Sequence, residues 1–189
     1  MSVTSVLIVG VGGQGSLLAS RILGTLALEL GLDVKVSEVH GMAQRGGSVV
    51  TYVRMGESVA SPIIEEGGAD YMLSFELLEA LRSVNLMKKG GKAVVNAQEI
   101  DPMPVIMGVQ EYPGNVKEKL QSKVKSHFVD AVPVANELGN VRFVNTVMMG
   151  KLAAIMGQDK EKWISALSQC VPEKTIADNI AAFERGYNL

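Results

Sequence analysis

With 189 residues, of which 47% are hydrophobic and only 5% aromatic, the chain is long enough to bury one large and mostly aliphatic core. A formal net charge of -2 with no basic stripe excludes the electrostatic footprint of a nucleic-acid binder, and the single cysteine, Cys170, excludes internal disulfides and an iron–sulfur cluster held by this chain alone. The N-terminus has no basic region ahead of an apolar stretch, and that stretch is broken by glycines and Arg21, so the reading is neither a signal peptide nor a membrane span but a cytoplasmic protein.

Residues 5–10 form an apolar run bounded by glycine, the pattern of a buried central strand. Residues 14–30 carry Leu17, Leu18, Ile22, Leu23, Leu26, Ala27 and Leu30 at helical spacing, and Gly31 is suited to end that helix. Asp33 to Glu38 reads as a second strand and Ser48 to Arg54 as a third. Only nine residues separate Glu38 from Ser48, fewer than a parallel crossover needs, so the third strand is expected to run antiparallel to its neighbours. It should start near the edge where the second ends. Tyr71 to Phe75 is a fourth strand, followed by a helix over Leu77 to Lys88 that Gly90-Gly91 ends, and Lys92 to Asn96 is a fifth strand. Residues 104–111 and 127–130 are weaker strand candidates with a helix over 115–125 between them, and 141–156, 160–169 and 173–185 read as helices. The expected architecture is α/β: a doubly wound, mostly parallel, Rossmann-like sheet with one antiparallel strand and a helical C-terminal segment.

Two polar loops stand out. Gly10-Val11-Gly12-Gly13-Gln14-Gly15 joins the first strand to the first helix and has the form of a dinucleotide fingerprint, with Glu38 placed where a ribose-binding acid would sit. Gly12, Gly13, Gln14 and Gly15 are therefore candidate cofactor-binding residues, because a glycine loop at a helix N-terminus offers free N–H groups to an anion. The same glycines also serve tight helix–sheet packing, and both readings stand at this point. The second loop, Glu38-Val39-His40-Gly41-Met42-Ala43-Gln44-Arg45-Gly46-Gly47-Ser48, gathers Glu38, His40, Gln44, Arg45 and Gly46 in a short span. A planar guanidinium beside paired glycines suits carboxylate or phosphate recognition, and equally a subunit interface. Glu76 and Asn96 should sit at the carboxyl edge of the sheet, where open α/β sheets bind ligands, although Glu76 also suits a helix first turn. His40 has no second His or Cys at metal-ligand spacing, so no metal site is expected. Asn145, in an otherwise apolar helix, reads as a packing hydrogen bond.

These two loops, with Ser61-Pro62, Phe75-Glu76-Leu77-Leu78-Glu79-Ala80-Leu81-Arg82 and the closing Asn179-Ile180-Ala181-Ala182-Phe183-Glu184-Arg185-Gly186-Tyr187, resemble the gamma-type subunits of 2-oxoacid:ferredoxin oxidoreductases, in particular the small beta subunits specific for indolepyruvate. The resemblance covers nearly the whole chain and implies one gamma-type domain over 1–189, with C-terminal helices from about 141 to 189 packed onto it. It further implies a subunit that is inactive alone and forms a hetero-oligomer with a large subunit. That large subunit carries thiamine diphosphate, Mg and iron–sulfur clusters. The implied reaction decarboxylates an aryl pyruvate, passes the acyl group to coenzyme A and reduces ferredoxin. Coenzyme A is the implied candidate at the glycine loop, and neither nucleic acid nor membrane is an implied partner. Two rivals remain at this stage: a gamma subunit for pyruvate, 2-oxoglutarate or branched 2-oxoacids, and an independent Rossmann-type nucleotide-binding protein.

Overall fold

The run Val6-Leu7-Ile8-Val9 offers water no polar side chain, and the chain places it at the centre of a sheet. In the computed structural model, which describes residues 3–41 and 46–189, these four side chains are completely buried within β1 (Thr4–Val11). The other strands are β2 (Asp33–His40), β3 (Ser48–Gly56), β4 (Ala69–Ser74), β5 (Met87–Asn96) and β6 (Lys125–Val129), in the spatial order β2-β3-β1-β4-β5-β6. β1, β4, β5 and β6 form a parallel ladder, while β3 runs antiparallel to both β1 and β2, as the short connection requires. His40 pairs with Val49 and Val11 with Ser48, so the β2–β3 connection lies at the edge where β1 ends.

The helices are α1 (Ser16–Glu29), α2 (Leu77–Arg82), α3 (Met103–Ile106), α4 (Val116–Gln121), α5 (Ala131–Glu137), α6 (Val144–Met156), α7 (Lys160–Cys170) and α8 (Ile176–Tyr187). Alternation along β1 sends Val6 and Ile8 to one face, against α1 and the C-terminal helices, and Leu7 and Val9 to the other, against α2 and α4. The sheet is thus covered on both faces, the condition under which a mostly parallel sheet persists.

Three boundaries differ from the sequence reading. The helix expected to reach Lys88 stops at Arg82, a 3-10 turn follows over Val84–Leu86, and Gly90-Gly91 lie inside β5. Ladder pairing jumps from Ala69↔Met87 to Tyr71↔Lys92, a bulge in which a Cβ on Gly91 would come within 3.0 Å of the Ala69 carbonyl. Residues 104–111 are not a strand. Pro102 and Pro104 suit a helix start, and Met103–Ile106 makes one helical turn. Residues 131–137 form a helix, α5, that the sequence pattern did not reveal.

α6 and α8 cross with their backbones almost touching. A Cβ on Gly150 would lie 2.0 Å from the Phe183 carbonyl oxygen, and one on Gly186 would lie 1.9 Å from that of Val147. Nearby, Trp163 and Phe183 are fully buried with ring centroids 6.3 Å apart. Gly186→Ala should therefore force the helices apart and cost about 1–3 kcal/mol. Gly24→Ala in α1, where a Cβ meets nothing within 4 Å, should stabilise the chain by about 0.5–1 kcal/mol. Urea unfolding of both variants checks this, and equal midpoints would contradict the close crossing.

Candidate functional site

The two polar loops singled out in the sequence are stitched together. Gly12 N–H donates to the Gly47 carbonyl at 2.8 Å, and Gly46 N–H reaches back to the Gly12 carbonyl at 3.5 Å. Ser48 Oγ donates to the buried Glu79 carboxylate at 2.5 Å, and Arg82 holds the other Glu79 oxygen at 2.6 Å. The end of the second loop at residues 46–48 is therefore fixed beside the first. Gln44 and Arg45, earlier in that loop, lie outside the described residues.

Beneath the loops sits a node of three side-chain amides. Gln14 Oε1 accepts from Val11 N–H at 2.7 Å, and Gln14 Nε2 donates to the Phe75 carbonyl at 3.1 Å and to Gln98 Oε1 at 3.3 Å. Asn96, fully buried, donates to the same Phe75 carbonyl at 3.1 Å and to Gln98 Oε1 at 3.2 Å, while its Oδ1 accepts from Ala131 N–H at 3.2 Å. A Cβ on Gly10 would lie 2.9 Å from Gln14 Oε1, so that glycine makes room for the node. Gly15 (φ +96) makes room for α6, since a Cβ there would sit 2.4 Å from Asn145 Nδ2. Gly13 (φ +102) faces open space, with nothing within 4 Å of where a Cβ would lie.

Two hollows flank the glycine loop. One, of about 430 Å³, is lined by Gly13, Gln14 and Gly15, by Arg142, Val144 and Asn145, and by Gln98 and Ile100. The second, of about 340 Å³, is bounded by Gly12, Gly13, Ser16, Leu17, Glu38, His40 and Val49. In the second hollow the Glu38 carboxylate accepts from Thr51 Oγ1 at 3.1 Å and Ser16 Oγ at 3.4 Å. His40 Nδ1 lies 2.9 Å from the Gly41 carbonyl, which can only accept, so that nitrogen carries a proton. α1 opens on Gly15 with no side-chain cap, which leaves its positive end facing the loop. The arrangement offers an uncapped helix N-terminus, which suits an anionic or polar group. It brings Gly12, Gly13, Gln14, Gly15, Glu38 and His40 together, and Gly46 beside them.

Glu76 and Asn96 lie at the same edge but line neither hollow. Glu76, 1% exposed, caps α2 by accepting from Glu79 N–H at 2.8 Å. Its other oxygen accepts from Tyr112 Oη–H at 2.6 Å and Ile100 N–H at 3.2 Å. Sequence reasoning did not single out Gln98 or Arg142, since an isolated amide or arginine carries no periodic signal. It read Asn145 as a packing residue, and Asn145 accepts from Thr146 Oγ1 at 3.2 Å while also lining the larger hollow.

Burial raises the Glu76 pKa above the ordinary 4.5 despite its hydrogen-bond donors, and the same burial, with the Glu76 carboxylate, pushes the Tyr112 phenol upward so that it stays a donor. With the folded-state value above the unfolded one, Glu76 favours folding below about pH 4.5, and that contribution is lost as the pH rises through the folded-state value. The stability of Glu76→Gln relative to the unsubstituted chain should therefore improve between about pH 4 and pH 7. Parallel stability–pH curves from urea unfolding would contradict this.

The description "Pyruvate ferredoxin/flavodoxin oxidoreductase" belongs to a family whose pattern matches residues 5–189. The chain is 44% identical over 188 residues to indolepyruvate oxidoreductase subunit IorB of Thermococcus kodakarensis, covering 96% of this chain and 93% of that one. Its fold is that of the keto/oxoacid ferredoxin oxidoreductase gamma subunit from Geobacter sulfurreducens, with a TM-score of 0.73 at 23% identity over 98% of this chain and 96% of the other. It also superposes, with a TM-score of 0.74 at 17% identity, on 31% of the 2-oxoglutarate:ferredoxin oxidoreductase chain of Magnetococcus marinus, whose structure holds 2-oxoglutarate, coenzyme A and succinyl-CoA; 100% of this chain is covered. A match over all but the first four residues, together with the Thermococcus relative, makes the chain a member of the pyruvate ferredoxin/flavodoxin oxidoreductase family.

Proposed function

We propose that this chain is the small, cytoplasmic subunit of a 2-oxoacid:ferredoxin oxidoreductase acting on indolepyruvate and related aryl pyruvates, and that its glycine-loop edge binds the phosphates of coenzyme A against the active site of the large subunit. The observation that carries this reading is the Gly12–Gly47 stitch. It gathers the uncapped N-terminus of α1, Glu38, His40 and the ends of the Gln44-Arg45 loop on one edge. The choice of aryl pyruvate is supported by the 44% identical indolepyruvate oxidoreductase subunit of Thermococcus kodakarensis.

The donor set of this chain does not suit an iron–sulfur cluster. It has one cysteine, and among the described residues no three His, Cys, Asp or Glu side chains are grouped to hold a metal. Thiamine diphosphate with Mg and the iron–sulfur clusters belong in this reading to the large subunit, where they supply decarboxylation and electron transfer to ferredoxin. The part left to this chain is binding and orientation. N–H groups at the start of α1 meet phosphate oxygens, and Arg45 and Arg142 add positive charge. A Rossmann dehydrogenase is disfavoured by the same geometry. Gly12 N–H is already bonded to Gly47, and one oxygen of the Glu38 carboxylate, Oε2, already accepts from Ser16 and Thr51. No helix among the described residues is long and apolar enough to cross a membrane.

The test is indolepyruvate-dependent reduction of a viologen dye with coenzyme A supplied, comparing the large subunit alone, this chain alone and the two co-expressed. Turnover is expected only from the co-expressed pair. Arg45→Ala should raise the KM for coenzyme A by about 10- to 100-fold, the loss of one charge-assisted phosphate contact, without changing the unfolding midpoint of this chain. An unchanged KM would remove Arg45 from the site, and activity of the large subunit alone would remove the obligate role.

A further inference from the structure

The segment that leaves the carboxyl end of β5 ends in an apolar knob. Met103, Ile106, Met107 and Val109 are 64%, 67%, 68% and 71% exposed, four large apolar side chains within seven residues. Isolated exposed apolar residues are ordinary, but a contiguous group is not. The knob is also built to hold its shape. Ile106 N–H and Met107 N–H bond back to the Pro102 and Met103 carbonyls at 3.1 and 2.9 Å, and Val109 N–H bonds to the Pro104 carbonyl at 2.9 Å. At its two roots, Ile100 N–H and Tyr112 Oη–H both donate to Glu76, a buried carboxylate. Two polar groups at its roots thus tie the segment down, while the four apolar side chains, flanked by exposed Asp101, Gln110 and Glu111, stand out in water.

We infer that this knob is where the large catalytic subunit seats on the chain, inserting Met103, Ile106, Met107 and Val109 into an apolar socket of its own. The inference rests on the proposed subunit role. One observation favours that occupant over a second copy of this chain. Ile100, at the root of the knob, also lines the larger hollow beside the glycine loop, so the surface that closes over the hollow in the proposed complex reaches the knob as well. Paired methionines suit such a seat because their unbranched side chains adapt to the facing surface.

The experiment is titration of this chain, unsubstituted or carrying Ile106→Glu with Met107→Glu, into the purified large subunit, with turnover measured at each concentration. The double variant should keep the unfolding midpoint of the isolated chain, bind about 100-fold or more weakly, and recover normal turnover per complex at saturation. Leu28→Glu, an equally exposed position on α1, should bind normally. Double-variant binding within about twofold of the unsubstituted chain would overturn the knob as the seat while leaving the subunit role intact. Failure of the unsubstituted chain to bind would overturn the subunit role and the seat together. Loss of self-association by the double variant, with hetero-association unchanged, would assign the knob to a second copy and overturn the inference.

Discussion

The amide node around the Phe75 carbonyl holds the carboxyl edge of this sheet together. Gln14 follows β1, Phe75 follows β4, and Asn96 ends β5, and their hydrogen bonds bring these three strand ends to one point. Asn96 also fixes the first N–H of α5. Such a network, buried at Asn96 and half-buried at Gln14 and Gln98, fixes geometry better than apolar packing, because a slip would strand the Asn96 amide away from water. The glycine loop is the cover of this node. Its shape follows from Gln14 turning inward over Gly10, where a Cβ would lie 2.9 Å from Gln14 Oε1 and 3.2 Å from Phe75 Cβ.

This construction changes what the glycine fingerprint means. In a dinucleotide fold the glycines let the cofactor approach the backbone. Here Gly10 accommodates Gln14, Gly15 accommodates Asn145 of α6, and the N–H of Gly12 is bonded to the neighbouring loop. Gly13 is left as the position whose missing side chain faces open space, next to an uncapped helix N-terminus. The loop is thus structural for most of its length, with a short stretch at its tip open to a ligand. That division fits a chain that holds part of a substrate for chemistry carried out elsewhere.

Much of this was legible in the sequence, for physical reasons. The buried run Val6–Val9 and the nine-residue gap before Ser48 are strong constraints, so the central strand and the reversed third strand follow from length and burial alone. That both polar loops share one edge follows from the same two facts. The errors fall where local pattern is ambiguous. Gly90-Gly91 reads as a helix stop but marks a bulge, because a glycine pair serves either and only the partner strand decides. The apolar residues of 104–111 imitate a strand, yet they point outward from a helical turn, which alternation within the segment does not reveal. Gln98 and Arg142 belong to the larger hollow through tertiary placement, and no spacing in the chain announces them.

If the tip of the glycine loop is where this chain meets coenzyme A, the contact should be visible in the backbone itself. The most direct measurement is amide hydrogen exchange on the assembled complex with and without coenzyme A. Slower exchange in the peptides spanning residues 13–18 and 38–49 is predicted, with the amides of β4 and β5 unchanged. Protection elsewhere on the complex, with exchange at residues 13–18 unaltered, would show that the edge is a structural seam and not a binding surface.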